Sequence, residues 1–237
     1  MKDQISARTV YINAQNALRT ALNAEGKYTS DQVEQMIDNA VLSQSYLRLE
    51  QLLDTSRTSY TFPVMVGTPS NSGASQAITE QRLKLQDTFY VSEIGLYLIK
   101  NPAAGSNAGV PYTYPNPIAF PTTGAAAAAY AIYTAGFLSL VVNGSVIIEE
   151  LDCQQFLMIP QTQQTAAFGA ASPQTEFYGA GMKSAQCVIE PNILFIGSKN
   201  NQFALGIKGS ALAAVEPNSS IAIVIRGILM QNVTVVS

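Results

Sequence analysis

The sequence predicts a mainly β chain, an antiparallel sandwich or closed barrel, preceded by a helical segment. Three observations carry this. After Tyr60, short apolar runs rich in β-branched and aromatic residues recur between Gly, Asn, Pro and Ser clusters, without intervening helical patterns. Two of those runs are joined by Asn143-Gly144, a strong hairpin signal. Before Ser56 the apolar spacing is instead that of helices.

The helical segment comes first. Over 10–23, Ile12, Ala14, Ala17, Leu18, Ala21 and Leu22 lie near one face, and Gly26 supplies a stop. A second helix is announced by Thr29 and Gln32 as a capping box, with Tyr28 and Val33 in the staple positions. Asp31 and Glu34 suit its N-terminus. Its stripe of Val33, Met36, Ile37, Ala40 and Val41 is expected to continue through Leu47, Leu49, Leu52 and Leu53. Residues 1–57 thus form a two-helix arm and 58–237 a β domain; the arm's stripe could cover the outside of its own β body or a neighbouring copy, and the neighbour is the favoured expectation.

Within the β domain, strands are expected over 60–66 and 88–99, the latter apolar on both faces like an inner strand. Residues 67–76 read as a loop. Residues 101–123 carry Pro102, Pro111, Pro115, Pro117 and Pro121, which forbid a regular helix or central strand. That Pro/Tyr-rich excursion is expected to be ordered by Tyr112, Tyr114 and Phe120. The alanine run 125–129 is open between helix and other structure. The hairpin turn sets Val142 opposite Ser145, Val141 opposite Val146 and Leu140 opposite Ile147. Further strands are expected over 155–158, 186–189, 193–196, 203–207, 221–225 and 231–236.

Composition narrows the function. Hydrophobic residues make up 47% and charged residues 12%, against roughly 25% charged in typical soluble chains. The exterior must therefore be largely neutral, and such a surface is buried against another protein at little desolvation cost. The formal net charge of -3, without a basic run, argues against specific nucleic-acid recognition. Neither a secretory leader nor an apolar membrane span is evident, so the glycosylation patterns at Asn143, Asn218 and Asn232 read as chance matches. Cys153 and Cys187 read as free buried thiols, with a single disulfide between them as the alternative.

The residues offer little chemistry. The chain has 0 histidines, which removes Ser–His–Asp and Cys–His arrangements and His-ligated zinc. Gly67, Gly73, Gly105 and Gly109 lie outside any phosphate-binding glycine motif. The carboxylates Glu149, Glu150 and Asp152, with Asp87 and Glu93 on another strand, are the candidates for paired acid chemistry. Glu149 and Glu150 should point to opposite strand faces, whereas Glu150 and Asp152 could share one. A charged hairpin end is the simpler reading; a divalent cation bridging such groups between copies stays open. Phe89, Tyr90 and Tyr97, or Tyr112 and Tyr114, could line a sugar platform, though core packing is the commoner use. No catalytic, cofactor-binding or metal-ligating residue is assigned.

The segment Arg82 to Gly95, the segment Leu138 to Leu151 running on to Gln163, and the closing Ile225-Arg226-Gly227-Ile228-Leu229 resemble virion structural proteins of bacteriophages, of the capsid type. The resemblance spans most of the chain after Tyr60. It implies a jelly-roll-like β barrel with a helical arm, in a non-enzymatic subunit that assembles with its copies into a capsid shell. Other virion proteins would be its further partners, and the virion, assembled in the host cytoplasm, its location. A head–tail connector or minor virion protein is the alternative within that class, and a carbohydrate-binding sandwich the alternative outside it. Whether Lys2, Arg8 and Arg19 face packaged nucleic acid is not legible.

Overall fold

The computed structural model describes residues 7–66, 80–100, 110–117, 119–159, 185–231 and 233. The expected loop 67–76, the glycines Gly73, Gly105 and Gly109, residues 101–109 and 160–163, Asn232 and Lys2 lie outside them.

The helical segment forms as two short helices, α1 (Ala7–Glu25) and α2 (Ser30–Asn39). Gly26 ends α1 in the left-handed region at φ 65. Thr29 caps α2 with the reciprocal Gln32 contact of a capping box. The continuation of this stripe as helix is overturned: Val41–Leu52 is strand β1. Leu47 and Leu49 are two residues apart, a spacing that shares a face on a strand and separates on a helix. Both are buried.

The remaining strands are β2 (Ser59–Pro63), β3 (Thr88–Lys100), β4 (Val110–Tyr112), β5 (Gly136–Val142), β6 (Ser145–Asp152), β7 (Gln186–Ile196), β8 (Gln202–Ile207) and β9 (Ser219–Gln231). They form two antiparallel sheets. One runs β1-β9-β3-β4, with β7 also on β3; the other runs β2-β8-β5-β6. Setting the three-residue β4 aside, the pairing is nested. The first strand pairs with the last (β1·β9), the second with the next to last (β2·β8), then β3·β7, and β5·β6 is the innermost hairpin. The expected runs 186–189 and 193–196 are one strand, β7. The 231–236 run survives only as the end of β9 at Gln231, most of the rest being outside the described residues.

Between the sheets lies the main core. Leu49, Phe62, Ile94, Leu96, Phe195, Phe203, Leu205, Leu138, Ile223 and Ile225 meet there, and Phe195 and Phe203 form an edge-on contact at 5.9 Å. The alanine run resolves as helix α3 (Ala125–Thr134). It has no side-chain cap, yet Ala125, Ala129, Ile132 and Tyr133 are buried on one face, so tertiary packing decides what propensity could not. The expected strand 155–158 is instead a 3-10 turn, Cys153–Phe156, capped by the Asp152 side chain accepting from Gln154 N at 2.9 Å.

A second core lies on the outer face of the first sheet. Ala14, Leu18 and Leu22 of α1 and Val33 and Ile37 of α2 cluster with Tyr90, Ile196, Ile228 and Met230. The arm's stripe is therefore covered by its own chain, which corrects the expectation of a neighbouring copy. The parity of β3 makes this possible. Phe89 and Val91 face the main core before Ser92, and Ile94, Leu96 and Leu98 after it. The register shifts between Val91 and Glu93, so Ser92 is a bulge residue, and its hydroxyl donates to the Arg226 carbonyl at 2.9 Å. That shift is one reason β3 reads as apolar on both faces.

Candidate functional site

The hairpin carrying the acidic candidates forms around the expected turn, with Asn143 at φ 53 and Gly144 at φ 82. Val142↔Ser145 and Val141↔Val146 hold, but Leu140 pairs with Ile148, not Ile147. A second shift follows between Leu140 and Leu138, which pairs with Leu151. Glu149 and Glu150 are both solvent-exposed. Glu150 takes a 2.7 Å ion pair from Lys208, whose ammonium also stands 5.3 Å from the Phe137 ring centroid. Asp152 is the cap of the following turn.

Asp87 and Glu93 belong to the other sheet's region, Glu93 within β3 and opposite Arg226. Asp87 is buried at the entry to β3, and that burial holds its carboxyl above the usual range while Lys84 pulls the other way. The five carboxylates are thus divided between two sheets. Among the described residues, no cluster of three or more metal-type ligands occurs.

Of the five aromatic candidates, Phe89, Tyr90 and Tyr112 pack into the cores, while Tyr97 and Tyr114 are half-buried. Phe89 and Phe120 are in the main core and Tyr90 lies under the helices. Tyr112 stacks edge-on against Phe120 at 5.7 Å. Both cysteines are free; Cys153 is buried and Cys187 half-buried. Burial pushes the Cys153 thiol up to about 12, so it stays protonated and inert at neutral pH.

Sequence reasoning missed the densest charge cluster. Residues 80–83 form a strap along one side of the sandwich. Arg48 and Gln81 exchange backbone hydrogen bonds of 2.8 Å, and Leu83 donates to the Val64 carbonyl and accepts from Val66. The strap therefore touches β1 and the end of β2, linking the two sheets. Arg82 pairs with Glu80 at 2.9 Å with side chains only 5% and 1% exposed, and Arg48 pairs with Glu50 at 2.6 Å. Glu80 also accepts from the backbone N–H of Glu50 at 3.2 Å. Both carboxylates are neutralised by guanidinium groups, so the cluster fixes the strap and offers no free base or nucleophile. The sequence signal was the alternation Arg48-x-Glu50 and Glu80-x-Arg82, which places each pair on one strand face.

No family model, curated protein or solved structure matches the chain. The surface is left to speak for function. No helix among the described residues is long and apolar enough to cross a membrane. The outer face of the second sheet carries rows such as Thr61, Ala204 and Ser139, small and uncharged in register. Its end strands are β2 and β6, and β6 exposes Val146 and Ile147.

Proposed function

We propose that the chain is a non-enzymatic structural subunit of a bacteriophage particle, with a jelly-roll sandwich that assembles with its own copies into the capsid shell. The nested strand pairing carries the reading. Eight strands in two antiparallel sheets with nested first-to-last pairing favour the jelly roll, an architecture found in viral capsid, lectin and cupin domains. From fold to function the step is analogy, and chemistry chooses among the hosts. The chain has no histidine for an imidazole-ligated metal centre, and its candidate sugar-binding aromatics are largely in the cores. A neutral exterior on a chain with 12% charged residues suits burial against copies of itself. The resemblance of Arg82 to Gly95 and of the closing Ile225 to Leu229 points the same way.

Its partners on this reading are its copies and other virion proteins, and its location is the virion. Electron microscopy of the purified full chain tests this. Closed shells or sheets are expected. Rings of fixed copy number would favour the connector alternative, and dispersed monomers that bind glycans would overturn the proposal in favour of a lectin-like module.

A further inference from the structure

The open side of the hairpin has a charge order with a consequence for how copies meet. Of the eight residues of β6, six are exposed. At its centre Val146 and Ile147 are 57% and 46% exposed. Towards its far end stand Glu149, Glu150 and Asp152, of which Lys208 meets one. At its near end the turn tip is fixed to the β7–β8 connection, Gly144 N donating to the Asn200 carbonyl at 3.2 Å. Lys199, next to Asn200, takes part in none of the ion pairs found among the described residues. One side of the sandwich thus runs cationic, apolar, anionic. Ile147 lies three residues from Gly144 and three from Glu150, about 10 Å each way at ~3.3 Å per residue.

We infer that this side is a two-fold contact between copies, in which Lys199 of one copy faces Glu149 and Glu150 of the other and the two Ile147 side chains meet at the axis. A pattern that reads + 0 − along a line becomes complementary to itself when turned by half a revolution, which is what an isologous contact requires. The register shifts in β6 make this a side-chain contact and not a continuous sheet, because bulges interrupt the ladder that edge pairing needs. The inference rests on the self-assembly reading and names the surface used.

Charge exchange in the full chain tests it by sedimentation. Lys199→Glu alone, and Glu149→Lys with Glu150→Lys, should each lower the assembled fraction at least tenfold at low salt. An equimolar mixture of the two variants should recover it, because each contact then pairs opposite charges. Ile147→Cys should give a disulfide-linked dimer on oxidation that the parent chain does not give. Unchanged mass in all variants would overturn this contact while leaving self-assembly standing. A parent that stays monomeric at every concentration would overturn both. Loss in the carboxylate variant alone, without recovery on mixing, would assign the edge to a different, basic partner and overturn the two-copy contact.

Discussion

Gly227 shows how a single residue sets the geometry here. A Cβ at this position would collide with the Tyr90 carbonyl and crowd the Phe89 ring, because β9 approaches β3 closely beside the Ser92 bulge. Gly227→Ala should therefore cost about 1–3 kcal/mol of unfolding free energy, read by denaturant titration. The buried ion pairs make a sharper case. Arg82→Met leaves Glu80 buried with its guanidinium partner removed, and should cost roughly 3–5 kcal/mol. Replacing both with apolar residues should recover most of that, and a double-mutant cycle measures the difference. Glu216 supplies the pH dependence. Burial raises its pKa, but hydrogen bonds from Thr122 and the Lys100 ammonium outweigh this and hold it below its ordinary value. A carboxyl lowered on folding stabilises the native state above its unfolded pKa, and that stability is lost as pH falls through the folded value. Glu216→Gln should flatten the decline in stability below about pH 4.5.

At the scale of elements, the helical arm is part of the fold's own support. Its apolar stripe covers Tyr90, Ile228 and Met230 on the outer face of the first sheet. Ile37→Asp should thus destabilise the whole domain by about 1.5–3 kcal/mol or more, visible as a single lowered transition. Two transitions would mean that the arm is an independent appendage. Thr29→Ala should cost ~1 kcal/mol through loss of the capping box. The legibility of these elements followed how local their causes are. The cap at Thr29, the stop at Gly26 and the turn at Asn143-Gly144 depend on a few adjacent residues and were readable. The end of α2 was not, since the residues 41–53 carry enough leucines to imitate a helical stripe, and only pairing with β9 makes them a strand. The slip from Ile147 to Ile148 was hidden for a related reason: turn type fixes the first pairs of a hairpin, while a bulge further along is set by packing. The strap pairs Arg48–Glu50 and Glu80–Arg82 could be seen as alternations, but not that the two would be brought together.

Across the whole molecule, several of the described sheet edges are blunted. The strap covers part of β1 and the end of β2, β4 is three residues long with Pro111 in it, and β6 is bulged and carries carboxylates. Natural sheets use such features to prevent uncontrolled edge pairing. Copies that associate would then do so through side-chain surfaces of fixed shape, as a closed assembly requires. The low charge, the neutral rows of the second sheet and the nested strand order all bear on that one claim, that the chain is built to be a subunit. Sedimentation of the purified full-length chain over a range of concentrations tests it most directly. The account predicts a mass many times that of the 25.3 kDa chain, falling back towards it on dilution or in high salt. A single species at the mass of one chain under all conditions would contradict it.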